Sequence, residues 1–232
     1  MNSLQEIELL FERNLQSVDE LIRFDKLVLD TCIDGLQRLN EKLKRGPFTI
    51  NNPSYLAENT LKTIQNIRTN DSLTAKYLSM FNSCVVLQVS YFSSVLDDIF
   101  RHTAAGILAD ATQTALDFEA LRRKNDTNFQ NMQATTRAYK NFLNIDIKKD
   151  NLYNTIIIAQ SARHAIVHAL GLANETFIRQ AELAKPRDIK HDFKLNQQLY
   201  FSVSELEYVK LAMLQFVSAI CNTIKGRYPY LK

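Results

Sequence analysis

From Val18 onward the apolar positions fall at Ile22, Leu29, Cys32, Leu36, Leu39 and Leu43. That seam of threes, fours and sevens predicts an amphipathic helix. Ser3-Leu-Gln-Glu6 and Ser17-Val-Asp-Glu20 both read as capping boxes and so as helix starts. Gly46-Pro47 predicts a stop, and Asn52-Pro53 predicts a new start with a helix to about Arg68. Asp71-Ser72 offers the next cap. A long helix then runs from Leu73 to about His102, with the apolar row Val85, Val89, Phe92, Leu96 and Ile99. Further helices are predicted from Asp110 to about Lys124 and from Asp126 to about Phe142. Asp146 to Asp150 is polar and reads as a connection.

The following helix is predicted from Asn151 to about Ala184, before Pro186. Arg187 to Ser202 is the least helical stretch, a loop or short hairpin. Ser202-Val-Ser-Glu205 is a third capping box, opening a last helix to Gly226. The expectation is an all-α protein, an antiparallel helical bundle. It forms a single domain (1–232) with an N-terminal helical extension over 1–45, an appendage to a core over 71–228.

Composition sharpens this picture in one respect. The 232 residues include only 5 Gly and 4 Pro, too few for the frequent turns of an all-β chain or for a glycine-rich phosphate loop. An apolar share of 46% against 23% charged suits a globular chain with a real core. The uncharged run Tyr77 to Leu96 is long enough for a membrane span. It carries Ser79, Asn82, Ser83, Gln88, Ser90, Ser93 and Ser94, too many polar groups for lipid. Acidic residues Glu6, Glu8, Glu12, Asp19 and Glu20 do not fit a secretory signal. Cys32, Cys84 and Cys221 lie far apart, with no metal or redox spacing, and read as inert buried thiols. The expected setting is cytoplasmic and soluble, without a membrane. Lys+Arg 28 against Asp+Glu 25 gives a net charge of +3, which permits a polyanionic partner without announcing one.

Candidate chemistry is concentrated in Ser161-Ala-Arg163-His164-Ala-Ile-Val-His168-Ala-Leu-Gly171. With about 100° per residue and Arg163 at zero, Val167 lies near 40°, Gln160 near 60°, Gly171 near 80°, His164 near 100° and His168 near 140°. The opposite face carries Leu152, Ile158, Ala159, Ala162, Ile166, Ala169, Leu170, Ala173 and Phe177. One face thus serves the core. The other presents an arginine and two histidines around a nearly flat centre of Val167 and Gly171, suited to a second copy of the same helix, with Gln160 as a further interface residue. A solvated polar surface fits the same residue types. His164 and His168 at i, i+4 also suit a zinc ion, but spacing places no third His, Cys or carboxylate beside them. No cofactor is expected.

The segment Arg163 to His168, RHAIVH, followed by Ala-Leu-Gly on the penultimate long helix of an all-α chain, resembles the motif of the HEPN superfamily. Val86 to Phe100, with its acidic end Asp97-Asp98, resembles the long helix that precedes the motif in that family. The likeness extends over about Asp71 to Tyr228 and is nearest to stand-alone bacterial members associated with toxin–antitoxin and antiviral defence genes. The N-terminal extension departs from the family pattern.

The resemblance implies a metal-independent endoribonuclease built as a two-fold homodimer. Its substrate would be RNA, with an antitoxin or other protein as a further partner. It implies that His168 is the general acid or base, that Arg163 anchors the scissile phosphate, and that His164 orients phosphate or base. Asp97, Asp98 and Glu175 are supporting candidates, with exposed helix charges as the alternative. Lys185, Arg187 and Lys190 are candidates for an RNA backbone track, with a solvated loop as the alternative. His102 and His191 read as ordinary surface residues. A non-catalytic HEPN-like dimerisation, nucleotide-binding or protein-interaction module is the competing reading, and a helical regulatory subunit a third.

Overall fold

The computed structural model describes residues 3–44, 62, 71–110, 129–189 and 192–230. Among these, six helices and no strand are present: α1 (Leu4–Lys44), α2 (Asp71–Asp110), α3 (Met132–Leu143), α4 (Asn151–His168), α5 (Glu175–Leu183) and α6 (Val203–Arg227). The protein is all-α. Apart from Lys62 and Asp110, the helices expected over 53–68 and 110–124 lie outside the described residues.

The first capping box forms as expected. The Ser3 N–H donates to Glu6 Oε2 at 2.8 Å and the Glu6 N–H to Ser3 Oγ at 3.2 Å. The second does not form. Ser17 sits inside one 41-residue helix and its hydroxyl donates back to the Asn14 carbonyl at 2.8 Å. Hydroxyls bond backward in this way when the helix continues through them. The seam also begins earlier than Val18, because Leu4, Ile7, Phe11, Leu15, Val18 and Ile22 are all buried. The first half of α1 therefore belongs to the core and is not an appendage.

The centre of the bundle is α2, which contacts α1, α3, α4 and α6. It contains Ser79–Ile107, long and apolar enough by composition to cross a membrane. Its apolar row is instead spent on neighbours. Phe92 lies 6.2 Å from Phe11 and 5.6 Å from Phe216, ring centre to ring centre. Phe100 lies 5.2 Å from Phe129 and 5.6 Å from Tyr139. The buried Tyr139 hydroxyl donates to the Leu96 carbonyl at 2.8 Å, joining α3 to α2. Asp110, expected to open a helix, lies within α2, which runs past the expected end near His102. Helix α3 begins later than Asp126 suggested, at Met132. Asn131 is its cap, accepting the Ala134 N–H at 2.8 Å.

The largest departure from expectation follows His168. The helix predicted to reach Ala184 stops there. Leu170 (φ 54°) and Gly171 (φ 76°) turn left-handed, and α5 restarts behind an Asn174 cap. The turn is pinned by the segment expected to be a loop or hairpin. Leu199 N–H donates to the Gly171 carbonyl at 2.8 Å and Ala173 N–H to the Gln197 carbonyl at 2.9 Å. The resulting antiparallel bridge pairs Leu172 with Gln198, so this part of the 187–202 segment pairs with the chain after α4. Asn82 of α2 secures the far side by donating to the Leu199 carbonyl at 3.1 Å. The third capping box then opens α6, with both reciprocal bonds made between Ser202 and Glu205.

Candidate functional site

Helix α4 buries Tyr153, Ile156, Ile158, Ala159, Ala162 and Ala165 and turns its other side outward at its C-terminal end. Arg163 is half-buried, and His164, Val167 and His168 are exposed. The His164 and His168 rings stand 4.8 Å apart, centre to centre, tilted at 50°. Among the described residues neither histidine, nor Arg163, has a hydrogen-bond or ion-pair partner. The three groups predicted to carry chemistry thus share one accessible edge.

The flat centre predicted between them does not exist. Gln160 is 6% exposed, too buried to meet a second chain. Gly171 is off the helix, buried, and held in the left-handed turn, where an added Cβ would meet Gln198 Nε2 at 2.5 Å. Of the three proposed interface residues only Val167, 48% exposed, is available to a second chain. Helical periodicity places Gly171 on this face only if the helix continues, and it ends at His168. Continued, the same periodicity puts Leu170 on the core stripe, whereas it is 89% exposed.

Beside this edge lies a cleft of about 660 Å³ among α2, α3, α4 and α5. Arg163 and His164 line it from α4, together with Gln160 and Ser161. Ser90 and Ser93 contribute from α2 and Asn174, Thr176 and Gln180 from α5. Across the cleft stand Gln130, Asn131, Gln133 and Arg137, at and just after the start of α3. Val89, Ile157, Met132 and Phe177 supply apolar wall. No Asp or Glu is among its described lining residues. The N-cap residues of α3 and α5, Asn131 and Asn174, are both among its lining residues. His168 is not a lining residue, but its ring touches that of His164 at the cleft's rim.

Arg137 and the amide cluster of 130–133 were not singled out from sequence. Their one legible signal is an amide-rich helix start, Gln130-Asn-Met-Gln133, with an arginine one turn further on. Such a start reads as a cap until α4 is seen to face it.

The remaining candidates scatter. Asp97 pairs with Arg101 at 3.1 Å, one turn along α2. Asp98 is exposed on a second, smaller cleft between α1 and α2 with Asn14, Tyr91, Arg101 and His102. Its partial burial, with Asp97 adjacent, lifts its carboxyl above the usual range. His102 is half-buried there, not a plain surface residue, and both ring nitrogens are buried without a hydrogen-bond partner among the described residues. Glu175 is exposed in the first turn of α5.

Arg187 is not part of an RNA track. It is 5% exposed, and its guanidinium donates to the carbonyls of Ala181 (2.5 Å), Ala184 (2.8 Å) and Ile189 (3.1 Å), closing the end of α5. Lys185 is exposed; Lys190 and His191 lie outside the described residues. Cys84 and Cys221 are buried, and burial pushes their thiols up to about 11 and about 12. The side chain of Cys32 lies outside the description. Among the described residues no three His, Cys, Asp or Glu side chains gather as a metal site would require.

No family model, curated protein sequence or solved structure matches this chain.

Proposed function

We propose that this protein is a metal-independent endoribonuclease of HEPN type, acting as a homodimer in the cytoplasm as a toxin or defence effector. The observation that carries the reading is the set of unpartnered groups Arg163, His164 and His168 on the accessible edge of α4. An arginine fork and two imidazoles are the groups that RNA self-cleavage requires. One imidazole takes the proton of a ribose 2′-OH, and the freed oxygen attacks the adjacent phosphorus. The bond from phosphorus to the 5′-oxygen breaks, and a protonated imidazole returns a proton to that oxygen. A 2′,3′-cyclic phosphate and a free 5′-hydroxyl result.

His168 is the acid or base in this scheme. Arg163 holds the phosphate and offsets the charge that builds on it in the transition state. His164, in ring contact with His168, orients the phosphate or shares the proton transfers. One chain supplies too few groups in too open a setting, and a second copy across the edge doubles them and shields the phosphate from water.

The test is purified wild type, His168→Ala and Arg163→Ala incubated with total RNA in EDTA, read by gel and by end-group analysis. Wild type yields cyclic phosphate ends with EDTA present, and each substitution lowers the rate by about 10²–10⁴ with helicity unchanged. Cleavage retained in both variants, or abolished by EDTA and restored by a divalent ion, overturns the reading. A non-catalytic nucleotide-binding module is the second reading. It is favoured by His168 standing outside the lined cleft, and it predicts binding without cleavage.

A further inference from the structure

We propose that His164 and His168 are half of a zinc site that two copies of this chain complete, with their four imidazoles holding one ion across the exposed edge of α4. The first observation is spacing. The two residues stand one turn apart on one helix, both exposed, with ring centres 4.8 Å apart. Two nitrogens each about 2.0–2.1 Å from a tetrahedral ion lie about 3.3 Å from one another. Rings at this separation reach that span by side-chain rotation alone, with the backbone of α4 left as it is. The second observation is availability. Among the described residues neither imidazole has a hydrogen-bond or ion-pair partner, so no such bond is lost when a ring nitrogen gives its lone pair to a metal. Imidazole nitrogen suits zinc, whereas magnesium prefers oxygen.

The third observation is the ligand count. Among the described residues no third His, Cys, Asp or Glu joins the pair. A closed zinc site takes four ligands. A two-fold copy of the same edge supplies the missing two from the same residues, as a self-complementary contact does. Val167, exposed between the histidines in sequence, gives the two helices an apolar point at which to meet. Arg163 lies about 100° and 140° round the helix from His164 and His168. It lines the cleft, which His168 does not, and so leaves the far side of the pair to the ion.

A ring nitrogen whose lone pair is bound to zinc can no longer take a proton from a ribose 2′-OH. Zinc is therefore a clamp on the dimer and an inhibitor of the cleavage proposed above. The inhibition rests on that reading, but zinc binding is measured without RNA. Tag-free wild type, His164→Ala and His168→Ala are stripped with EDTA and desalted. Each is titrated with zinc and with magnesium by calorimetry and sized by sedimentation velocity with and without zinc. Cobalt then replaces zinc for visible absorption spectra.

One zinc per two chains is expected, with a zinc-tightened dimer, no magnesium binding at the same concentrations, and the intense blue of four-coordinate cobalt. Either substitution lowers zinc affinity about 10²-fold or more, because linked ligands act at high effective concentration. Both histidines are exposed, so neither substitution disturbs the core. Zinc affinity unchanged in either variant, one ion per chain on a monomer, or the pale spectrum of six-coordinate cobalt overturns the proposal. In the RNA assay zinc lowers wild-type cleavage about 10²-fold or more, the scale of lost acid–base catalysis, and EDTA restores it. Cleavage that persists when zinc saturates the site overturns the inhibitory role. No cleavage by wild type in EDTA, with the zinc-linked dimer intact, removes the nuclease reading and leaves the metal site standing.

Discussion

At Gly171 the backbone stands at φ 76°, and a methyl group there would press on the Gln198 amide. Only glycine holds such a conformation without steric cost. The residue is a hinge point of the chain, turning it from α4 into the bridge with 196–199. Gly171→Ala is expected to lower stability by about 1–2 kcal/mol, the cost of a left-handed Cβ, read as the shift in a urea unfolding midpoint. The Gln198 side chain is exposed and moves aside, so the conformational cost dominates. An unchanged midpoint excludes the turn as the reason for glycine. Arg187 shows the same lesson with opposite chemistry: a basic residue beside lysines looks like a surface charge, but two carbonyls at the end of α5 and that of Ile189 claim its guanidinium.

Among the elements, α1 and α4 differ most from what pattern alone implies. In α1 the apolar spacing continues unbroken across Ser17, and packing against α2 and α6 outweighs a local capping signal. Phe11 marks the consequence. It is 2% exposed and lies against Phe92, which in turn meets Phe216. Phe11→Ala is expected to cost about 3–5 kcal/mol in denaturant unfolding, as large aromatic truncations in a core do. A cost under about 1 kcal/mol, the scale of an unimportant surface change, returns the N-terminal helix to the status of an appendage. In α4 the opposite happens. The helical spacing of apolar residues persists beyond His168, but the backbone leaves the helix because 196–199 pairs with it there.

For the whole molecule, the nuclease reading depends on a second copy reaching the exposed edge of α4. Val167 is the apolar residue on that edge nearest both histidines in sequence, and a charge there opposes close approach. Val167→Glu is expected to convert a dimer to monomer in sedimentation velocity and to abolish RNA cleavage. A dimer that survives Val167→Glu places the interface elsewhere on the molecule.

The all-helical class, the helix starts at Ser3, Asn151 and Ser202, and the exposure of His164 and His168 were legible in the residues. Capping boxes, apolar period and motif spacing are local properties of the chain, and local geometry suffices to read them. The end of α4, the burial of Gln160 and Arg187, and the opposition of Arg137 to Arg163 were not. Each depends on contact with a segment distant in sequence, 196–199 in the first case and α3 against α4 in the last. Hydrophobic spacing tells which side of a helix is buried, but carries no record of which remote backbone group satisfies a carbonyl, or which remote cation shares a cleft. Those were decided only when burial of the common core brought the segments together.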